Sequence, residues 1–156
     1  GRTLAEATRT LIAKHPQHEA LIRAYYERWH EMLRGPLAGG VAILEDLHEA
    51  KVPLFGLTNW SAETFPYARA NYPFLKYFRN IVVSGEVKLI KPDPAIYRAS
   101  LDQVRADLPD IKPEQVVFID DVAENANAAS ALGWRGIHHV SPEQTRRQLQ
   151  ALGLSF

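Results

Sequence analysis

The stretch VVFIDDVAENANAA, residues 116–129, decides the fold, because it joins a buried strand to a helix through two adjacent carboxylates. Four apolar residues lead directly into Asp120 and Asp121, and small residues follow at helical spacing. A short apolar run of this kind is typical of a strand in a parallel sheet that is covered on both faces. Two negative charges at the end of such a strand repel one another, so their placement requires a chemical explanation.

Short apolar strands and amphipathic helices alternate through residues 36–156. The other predicted strands lie at 52–57, 80–84 and 134–140, beside the strand at 115–119. The predicted helices lie at about 40–50, 61–71, 94–106 and 123–132, and a last helix begins near Pro142. This alternation defines βαβ units, so we expect an α/β fold in which a Rossmann-like parallel sheet has helices on both faces.

The beginning of the chain has a purely helical pattern. Two helices are predicted there, at residues 3–14 and 17–33, on either side of His15-Pro16. RGPLAGG, residues 34–40, is a dense Gly/Pro cluster that is typical of a boundary between structural units. The sequence therefore predicts a helical unit over residues 1–35 and an α/β core over residues 36–156.

The composition limits the classes of partner. Hydrophobic residues make up 46% of the 156 residues, enough for one core with a small accessory element. Lys plus Arg and Asp plus Glu both total 18, and the zero net charge argues against nucleic acid or an anionic membrane as partner. The chain has no cysteine, which fits a reducing compartment. Its apolar runs are shorter than the roughly 18 residues of a membrane span. We therefore expect a cytoplasmic protein, and the oligomeric state is left open.

Polar side chains follow three of the predicted strands, at the positions where ligands bind in open parallel sheets. Thr58 and Asn59 follow the first strand, Lys91 lies in the loop after the second, and Asp120 and Asp121 follow the third. A hydroxyl group, an ammonium group and paired carboxylates suit a Mg²⁺ ion and a bound anion, since Mg²⁺ prefers carboxylate, phosphate and water oxygens. A cation beside the two carboxylates would convert their repulsion into affinity.

Each candidate also has a purely structural interpretation. Asp121 stands where a helix N-cap is expected, and Thr58 and Asn59 are suitable caps for the helix that follows them. Lys91, between a strand and two prolines, fits a solvated loop lysine. Their order at successive strand ends favours one common site over three unrelated structural roles.

Three motifs resemble those of the haloacid dehalogenase superfamily of hydrolases. They are LFGLTNW at residues 54–60, KLIKPDPAIY at 88–97 and VVFIDDVAEN at 116–125. The resemblance covers residues 36–140. It also implies that the helices before Gly35 are the last part of the helical cap that many members of this superfamily carry.

The resemblance implies a role for each candidate residue. Thr58 binds the transferring group, and Lys91 steadies the nucleophile and the developing negative charge. Asp121 is the main Mg²⁺ ligand, and Asp120 assists it. Asn59 and Trp60 lie next to the site as substrate-binding residues. Asn125 falls where many members carry another acid, so no role is predicted for it.

The superfamily's first motif, an apolar strand that ends in Asp-x-Asp, does not occur in this sequence. The first Asp of that motif attacks the substrate, and the resemblance puts its strand between the strands that end at Leu57 and Ile119. The chain therefore resembles a core without its first strand. We expect the nucleophile upstream of residue 1, and we expect residues 1–156 alone to be inactive.

The predicted function is that of a Mg²⁺-dependent phosphatase, which hydrolyses a small phosphate ester through an aspartyl-phosphate. One alternative is a 2-haloacid dehalogenase, because Thr58-Asn59 resembles the Ser-Asn pair of those enzymes. The paired Asp120 and Asp121 argue against it, since dehalogenases use no metal and tend to carry neutral residues there. A second alternative is a non-catalytic binding protein that has lost the nucleophile.

Overall fold

The computed structural model describes residues 2–156, and the chain divides into two compact units, Gly1–Pro36 and Leu37–Phe156. The first unit contains helices α1 (Leu4–Lys14) and α2 (Glu19–Glu27) and 3₁₀ turns at Pro16–His18 and Trp29–Met32. A capping box begins α1: Thr3 Oγ1 accepts a hydrogen bond from the Glu6 backbone N–H, and the Glu6 carboxylate accepts one from the Thr3 N–H.

The helix predicted over residues 17–33 is wrong in its extent, because α2 ends at Glu27 and a 3₁₀ turn follows it. Arg28 forms two hydrogen bonds with the carboxylate of Glu31, at 2.8 and 2.6 Å. Side chains three residues apart are eclipsed in a 3₁₀ turn, so this ion pair suits the tighter turn.

The second unit contains the alternating strands and helices. Its strands are β1 (Phe55–Thr58), β2 (Asn80–Val83), β3 (Val117–Asp120) and β4 (Arg135–His138). Its helices are α3 (Ala38–Glu49), α4 (Phe65–Asn71), α5 (Ser84–Val87), α6 (Pro94–Asp107), α7 (Ala123–Ala131) and α8 (Pro142–Ala151). Further 3₁₀ turns lie at Pro73–Tyr77 and Pro113–Gln115. The predicted α/β class is confirmed, and the short helix α5 was not predicted from the sequence.

The described strands form two parallel pairs. β1 pairs with β2, with Leu57 opposite Val82, and β3 pairs with β4, with Ile119 opposite Ile137. Among residues 2–156, no strand pairing joins the two pairs into the single sheet that the sequence predicted. The sequence pattern identified the strands and their parallel direction, but it did not predict this division.

Side chains from both faces of β3 enter different parts of the core. On one face, Phe118 packs with Tyr97 of α6 and with Trp134, and the three rings meet edge to face. On the other face, Val117 and Ile119 pack against a cluster from α3, β4 and α8. This alternation places helices on both sides of the strand, as expected for a parallel sheet.

β1 and β3 each have an edge that faces away from their partner strand. On β1, the Leu54 carbonyl accepts a hydrogen bond from Arg79 N–H at 2.9 Å, on the side of β2. Backbone groups of successive residues in a parallel strand point to opposite edges, so those of Phe55 and Leu57 point away from β2.

The same reasoning applies to β3. The carbonyl groups of Val116 and Asp120 accept hydrogen bonds from the β4 side, each at 2.8 Å. The backbone groups of Val117 and Ile119 therefore point to the opposite edge.

These two edges line one apolar cavity of about 500 Å³ inside the second unit. Residues 54–57 and 116–119 form two of its walls, and α3, α6 and α8 contribute Leu47, Val104 and Leu149. The cavity therefore lies between β1 and β3, where the resemblance puts a further strand.

None of the helices within residues 2–156 combines the length and the apolar composition needed to cross a bilayer.

Gly136 of β4 offers a test of the packing between β4 and α7. A Cβ atom at this position would lie 2.1 Å from the Ala126 carbonyl oxygen and 2.4 Å from Ser130 Oγ. We expect Gly136→Ala to lower the free energy of unfolding by about 3 kcal/mol, because the backbone of α7 has to move. Urea unfolding measures this difference.

The matched control is Gly40→Ala in α3, where a Cβ atom would have no neighbour within 4 Å. Alanine is the better helix former by about 1 kcal/mol, so this variant should be as stable as the parent chain or slightly more stable. Equal losses in the two variants would contradict the close approach of β4 to α7.

Candidate functional site

The amine of Lys91 lies where the carboxyl ends of β1 and β3 approach one another. Its Nζ donates hydrogen bonds to the Leu57 carbonyl oxygen at 3.0 Å and to Asp120 Oδ2 at 2.6 Å. The Lys91 and Asp120 side chains are only 9% and 6% exposed. The structure thus brings together two of the predicted site residues from segments 29 positions apart in the sequence.

The carboxylate of Asp120 accepts three hydrogen bonds. Its Oδ1 accepts from the Val122 backbone N–H at 2.9 Å and from Asn125 Nδ2 at 3.0 Å, while Oδ2 accepts from Lys91. Burial alone would raise the pKa of Asp120, but the hydrogen bonds from Lys91, Asn125 and Val122 outweigh it and hold that pKa below its ordinary value. Asp120 is therefore a buried, ionised carboxylate that is paired with an ammonium group.

Asp121 lies in a different environment. Its side chain is exposed, and its backbone carbonyl oxygen is 3.1 Å from Nε2 of His138, at the end of β4. The negative charge of Asp120 is already compensated by Lys91, so the two adjacent aspartates are not equivalent. Their repulsion is reduced in this structure by the lysine, whereas the sequence argument attributed that effect to a metal ion.

Asn59 connects the end of β1 with the loop that carries Lys91. Its Nδ2 donates to the Lys91 carbonyl oxygen at 3.1 Å, and its Oδ1 accepts from the Lys91 backbone N–H at 2.9 Å. One carboxamide therefore binds both backbone groups of a residue that is 32 positions away in the sequence. The sequence predicted a substrate-binding role for Asn59 and did not predict this contact.

Thr58 is the last residue of β1 and is half-buried, one position after the carbonyl group that binds Lys91. Trp60 is held by its own surroundings. Its indole Nε1 donates to Thr64 Oγ1 at 2.9 Å, and its ring meets the Phe65 ring edge to face at 5.8 Å. The roles predicted for Thr58 and Trp60 toward the substrate stay predictions.

Two residues that the sequence analysis left without a role support Asp120. Asn125, which is buried, donates to the Asp120 carboxylate, and its backbone carbonyl accepts from the Tyr97 hydroxyl at 2.9 Å. Burial, together with the negative charges of Asp120 and Glu124, raises the pKa of Tyr97 to about 12, so this hydroxyl stays protonated and remains a donor. The only sign in the sequence that Asn125 supports Asp120 was its polar side chain among the small residues of α7.

The donor chemistry of the site fits Mg²⁺ in part. Asp120 and Asp121 offer carboxylate oxygens, the ligands that Mg²⁺ prefers, and the exposed carboxylate of Asp121 is accessible to an ion. Within residues 2–156, there is no group of three or more His, Asp or Glu side chains that could hold a metal ion. Mg²⁺ commonly uses only one or two protein carboxylates and completes its shell with water and phosphate oxygens, so two aspartates are a sufficient protein contribution.

The family model for haloacid dehalogenase-like hydrolases matches residues 1–138. The chain belongs to this family of hydrolases. The predicted family is therefore confirmed.

Individual relatives include a sesquiterpene phosphatase from Aspergillus oryzae, 29% identical over 117 residues, which cover 75% of this chain and 57% of that protein. A drimenol cyclase from Aspergillus calidoustus is 30% identical over 96 residues, which cover 62% of this chain and 17% of that protein. The chain thus spans less than two thirds of either relative.

A solved structure has a similar fold. A protein of uncharacterised function from Corynebacterium glutamicum superposes with a TM-score of 0.56 at 20% identity, over 74% of this chain and 82% of that one. At this identity the similarity concerns the fold alone.

The ionisation of Asp120 predicts a specific pH dependence of stability. Its pKa is lower in the folded chain than in the unfolded chain, so its contribution to stability is fully present above about pH 4 and is lost as the pH falls further. The Asp120→Asn side chain cannot ionise. We therefore expect the difference in free energy of unfolding between the two proteins to be largest near neutral pH and to narrow below about pH 4.

Urea unfolding from about pH 7 down to about pH 3, in buffer containing a chelator, measures this difference. Asp110→Asn is the control, because Asp110 is exposed in the turn after α6. A difference for Asp120→Asn that does not change with pH would contradict the lowered pKa.

Proposed function

We propose that the protein is a cytoplasmic, Mg²⁺-dependent phosphatase that acts on a small phosphate ester. The observation that carries this proposal is the convergence of Lys91, bound to Leu57 and Asp120, at the carboxyl ends of β1 and β3. Asp121 and Thr58 adjoin this point in the sequence. The relative named as a sesquiterpene phosphatase supports the choice of phosphate esters among the substrates of the family.

Lys91 provides positive charge for the transferring group. An ammonium group has three N–H donors, and the Leu57 carbonyl and Asp120 occupy two of them. The third can bind an oxygen of the phosphoryl group. Stabilisation of charge that develops in the transition state is the main requirement of phosphoryl transfer, so a fixed ammonium group suits this reaction.

Asp121 and Asp120 would hold the metal ion. When bound, Mg²⁺ neutralises negative charge on the phosphoryl oxygens. Asp120 keeps its orientation through Asn125 and the Val122 N–H, and Asp121 offers an exposed carboxylate. Thr58, at the end of β1, would donate a hydrogen bond from its hydroxyl group to a further phosphoryl oxygen.

We place the attacking carboxylate on a strand that fills the cavity between β1 and β3. The outer edge of each neighbouring strand offers backbone donors and acceptors to such a strand. On β1 these groups belong to Phe55 and Leu57, and on β3 they belong to Val117 and Ile119. Each buried backbone group left unpaired costs about 1–3 kcal/mol, and several of them rival the total stability of about 5–15 kcal/mol of a domain. A parallel strand in this position would end beside Lys91.

The reaction has two steps. A carboxylate oxygen at the end of that strand attacks phosphorus and forms an acyl-phosphate bond, while the bond between phosphorus and the ester oxygen breaks and the leaving oxygen takes up a proton from the solvent. Water then cleaves the acyl phosphate, which restores the carboxylate, releases inorganic phosphate and returns one proton to the solvent. Dividing one difficult displacement into two easier ones is the advantage of covalent catalysis.

The 2-haloacid dehalogenase alternative gains some support from the Lys91–Asp120 pair, because the ammonium group compensates Asp120 without a metal ion. The exposed carboxylate of Asp121 still favours a metal-dependent reaction. An assay of the protein must therefore include both substrates.

The first experiment measures turnover of p-nitrophenyl phosphate by the full-length protein, with and without Mg²⁺, and release of chloride from 2-chloropropionate. We expect phosphatase activity that a chelator abolishes and Mg²⁺ restores. Chloride release without a metal ion, and without phosphatase activity, would replace the phosphatase by the dehalogenase.

Single substitutions test the proposed roles. We expect Lys91→Ala, Thr58→Ala and Asp121→Asn each to lower kcat about 10²–10³-fold, because each removes a group that stabilises or organises the transition state. Asp110→Asn is the control and should retain the activity of the parent protein. Activity that survives all three site substitutions would show that the reaction takes place elsewhere.

The intact mass of the natural protein, compared with its coding sequence, tests the source of the nucleophile. We expect an apolar strand ending in Asp-x-Asp outside residues 1–156, and we expect substitution of its first Asp to abolish turnover. A natural protein without such a strand and without activity would favour the non-catalytic binding protein.

A further inference from the structure

We propose that Asn59 is a positioning residue that fixes Lys91 by binding its backbone, instead of contacting the substrate. This inference rests on the proposed function only in that Lys91 acts on the substrate. The geometry that carries it concerns three residues, namely Leu57, Asn59 and Lys91.

The Asn59 carboxamide binds Lys91 as a neighbouring strand would. It donates to the Lys91 carbonyl oxygen at 3.1 Å and accepts from the Lys91 N–H at 2.9 Å. Two hydrogen bonds in opposite directions fix both the position and the orientation of a peptide segment, whereas one bond leaves it free to rotate. The backbone of Lys91 is thereby attached to the end of β1.

The tip of the Lys91 side chain is attached to the same strand. Its Nζ donates to the carbonyl oxygen of Leu57, two positions before Asn59. Lys91 is therefore held at both ends: the Asn59 side chain, one position after β1, binds its backbone, and the Leu57 carbonyl group of β1 binds its amine. A lysine side chain has four rotatable bonds, so placing its amine between Leu57 and Asp120 depends on a fixed backbone.

The remaining hydrogen-bonding capacity of Asn59 is small. A carboxamide offers two N–H donors and a carbonyl oxygen with two lone pairs, and Lys91 uses one donor and one lone pair. The second lone pair cannot bind an acceptor oxygen of a phosphate group, so direct binding of that group would rest on the second N–H alone. Positioning of Lys91 accounts for both polar atoms of the side chain.

A double-mutant cycle in the full-length protein distinguishes the two roles. We expect Asn59→Ala to lower kcat/KM for p-nitrophenyl phosphate roughly tenfold when Lys91 is present, and less than about twofold in the Lys91→Ala background. A residue that acts through Lys91 loses its effect once the lysine is removed. Equal losses in both backgrounds would overturn the proposal and assign Asn59 to the substrate.

Two further variants keep the cycle interpretable. The ionised carboxylate of Asn59→Asp keeps an acceptor for the Lys91 N–H but has no donor for the Lys91 carbonyl group, whereas the protonated carboxyl group has both. Its kcat/KM relative to that of the parent at the same pH should therefore be lower at neutral pH than at low pH. It also serves if Asn59→Ala does not fold. Asn80→Ala is the matched control. Asn80, at the start of β2, is an exposed asparagine whose side chain binds Gln103 of α6.

A chemical measurement tests the inference independently of activity. An amine-directed acylating reagent, with the sites quantified by mass spectrometry, compares Lys91 with the exposed Lys112 in each variant. We expect Asn59→Ala to raise the labelling of Lys91 relative to Lys112 several-fold, and Asn80→Ala to leave this ratio unchanged.

The two measurements separate the failure of this inference from the failure of the proposed function. Increased labelling of Lys91 in a protein without phosphatase activity would sustain the positioning role and reject the function. Unchanged labelling in Asn59→Ala, in an active and folded protein, would reject the positioning role.

Discussion

The buried ion pair between Lys91 and Asp120 is the interaction on which the arrangement of the second unit depends. Within residues 2–156, β1 and β3 belong to different strand pairs, and the Lys91 amine bridges their carboxyl ends. A buried ion pair offsets the cost of its desolvation only when the remaining donors and acceptors are also satisfied. Asn125 and the Val122 N–H satisfy the second oxygen of Asp120, which explains why a polar helix residue is buried there.

This pair also changes the explanation of the two adjacent aspartates. Their repulsion was the reason to expect a cation, and the structure provides an ammonium group for one of them. Removing either partner of such a pair leaves a buried charge and costs about 3–5 kcal/mol. Both the stability of the fold and the proposed reaction therefore require an ammonium group at Lys91. Of the two adjacent aspartates, only Asp121 has an exposed carboxylate, which this ion pair does not explain.

The sequence predicts those parts of the site that depend on periodicity. Thr58, Asp120 and Asp121 were predicted as site residues because a short apolar run shows where a strand ends, and ligands bind at strand ends in parallel sheets. The contact of Asn59 with Lys91 could not be predicted, because a hydrogen bond across 32 residues leaves no local pattern.

The same distinction applies to the fold: features that depend on local patterns were predicted, and features that depend on long-range contacts were not. β2 begins at the residue that the sequence predicts and ends one residue earlier, because its apolar run has clear ends. The division of the strands into two pairs depends on which edges meet, and no single segment encodes that information. The helix predicted over 17–33 was too long, because continuous apolar spacing does not distinguish an α-helix from a 3₁₀ turn. In the structure the Arg28–Glu31 pair stabilises such a turn after α2.

These contacts also show that residues of the second unit alone hold Lys91. Leu57 of β1 and Asn59, one position after the end of β1, bind its amine and its backbone, and Asp120 holds the amine from β3. The ammonium group is therefore held by residues of the second unit without a further strand between β1 and β3. A carboxylate at the end of the proposed strand would meet a donor that is already oriented, so its alignment would require no further ordering of the lysine. A fixed charge of this kind is the form of preorganisation that stabilises a transition state most effectively.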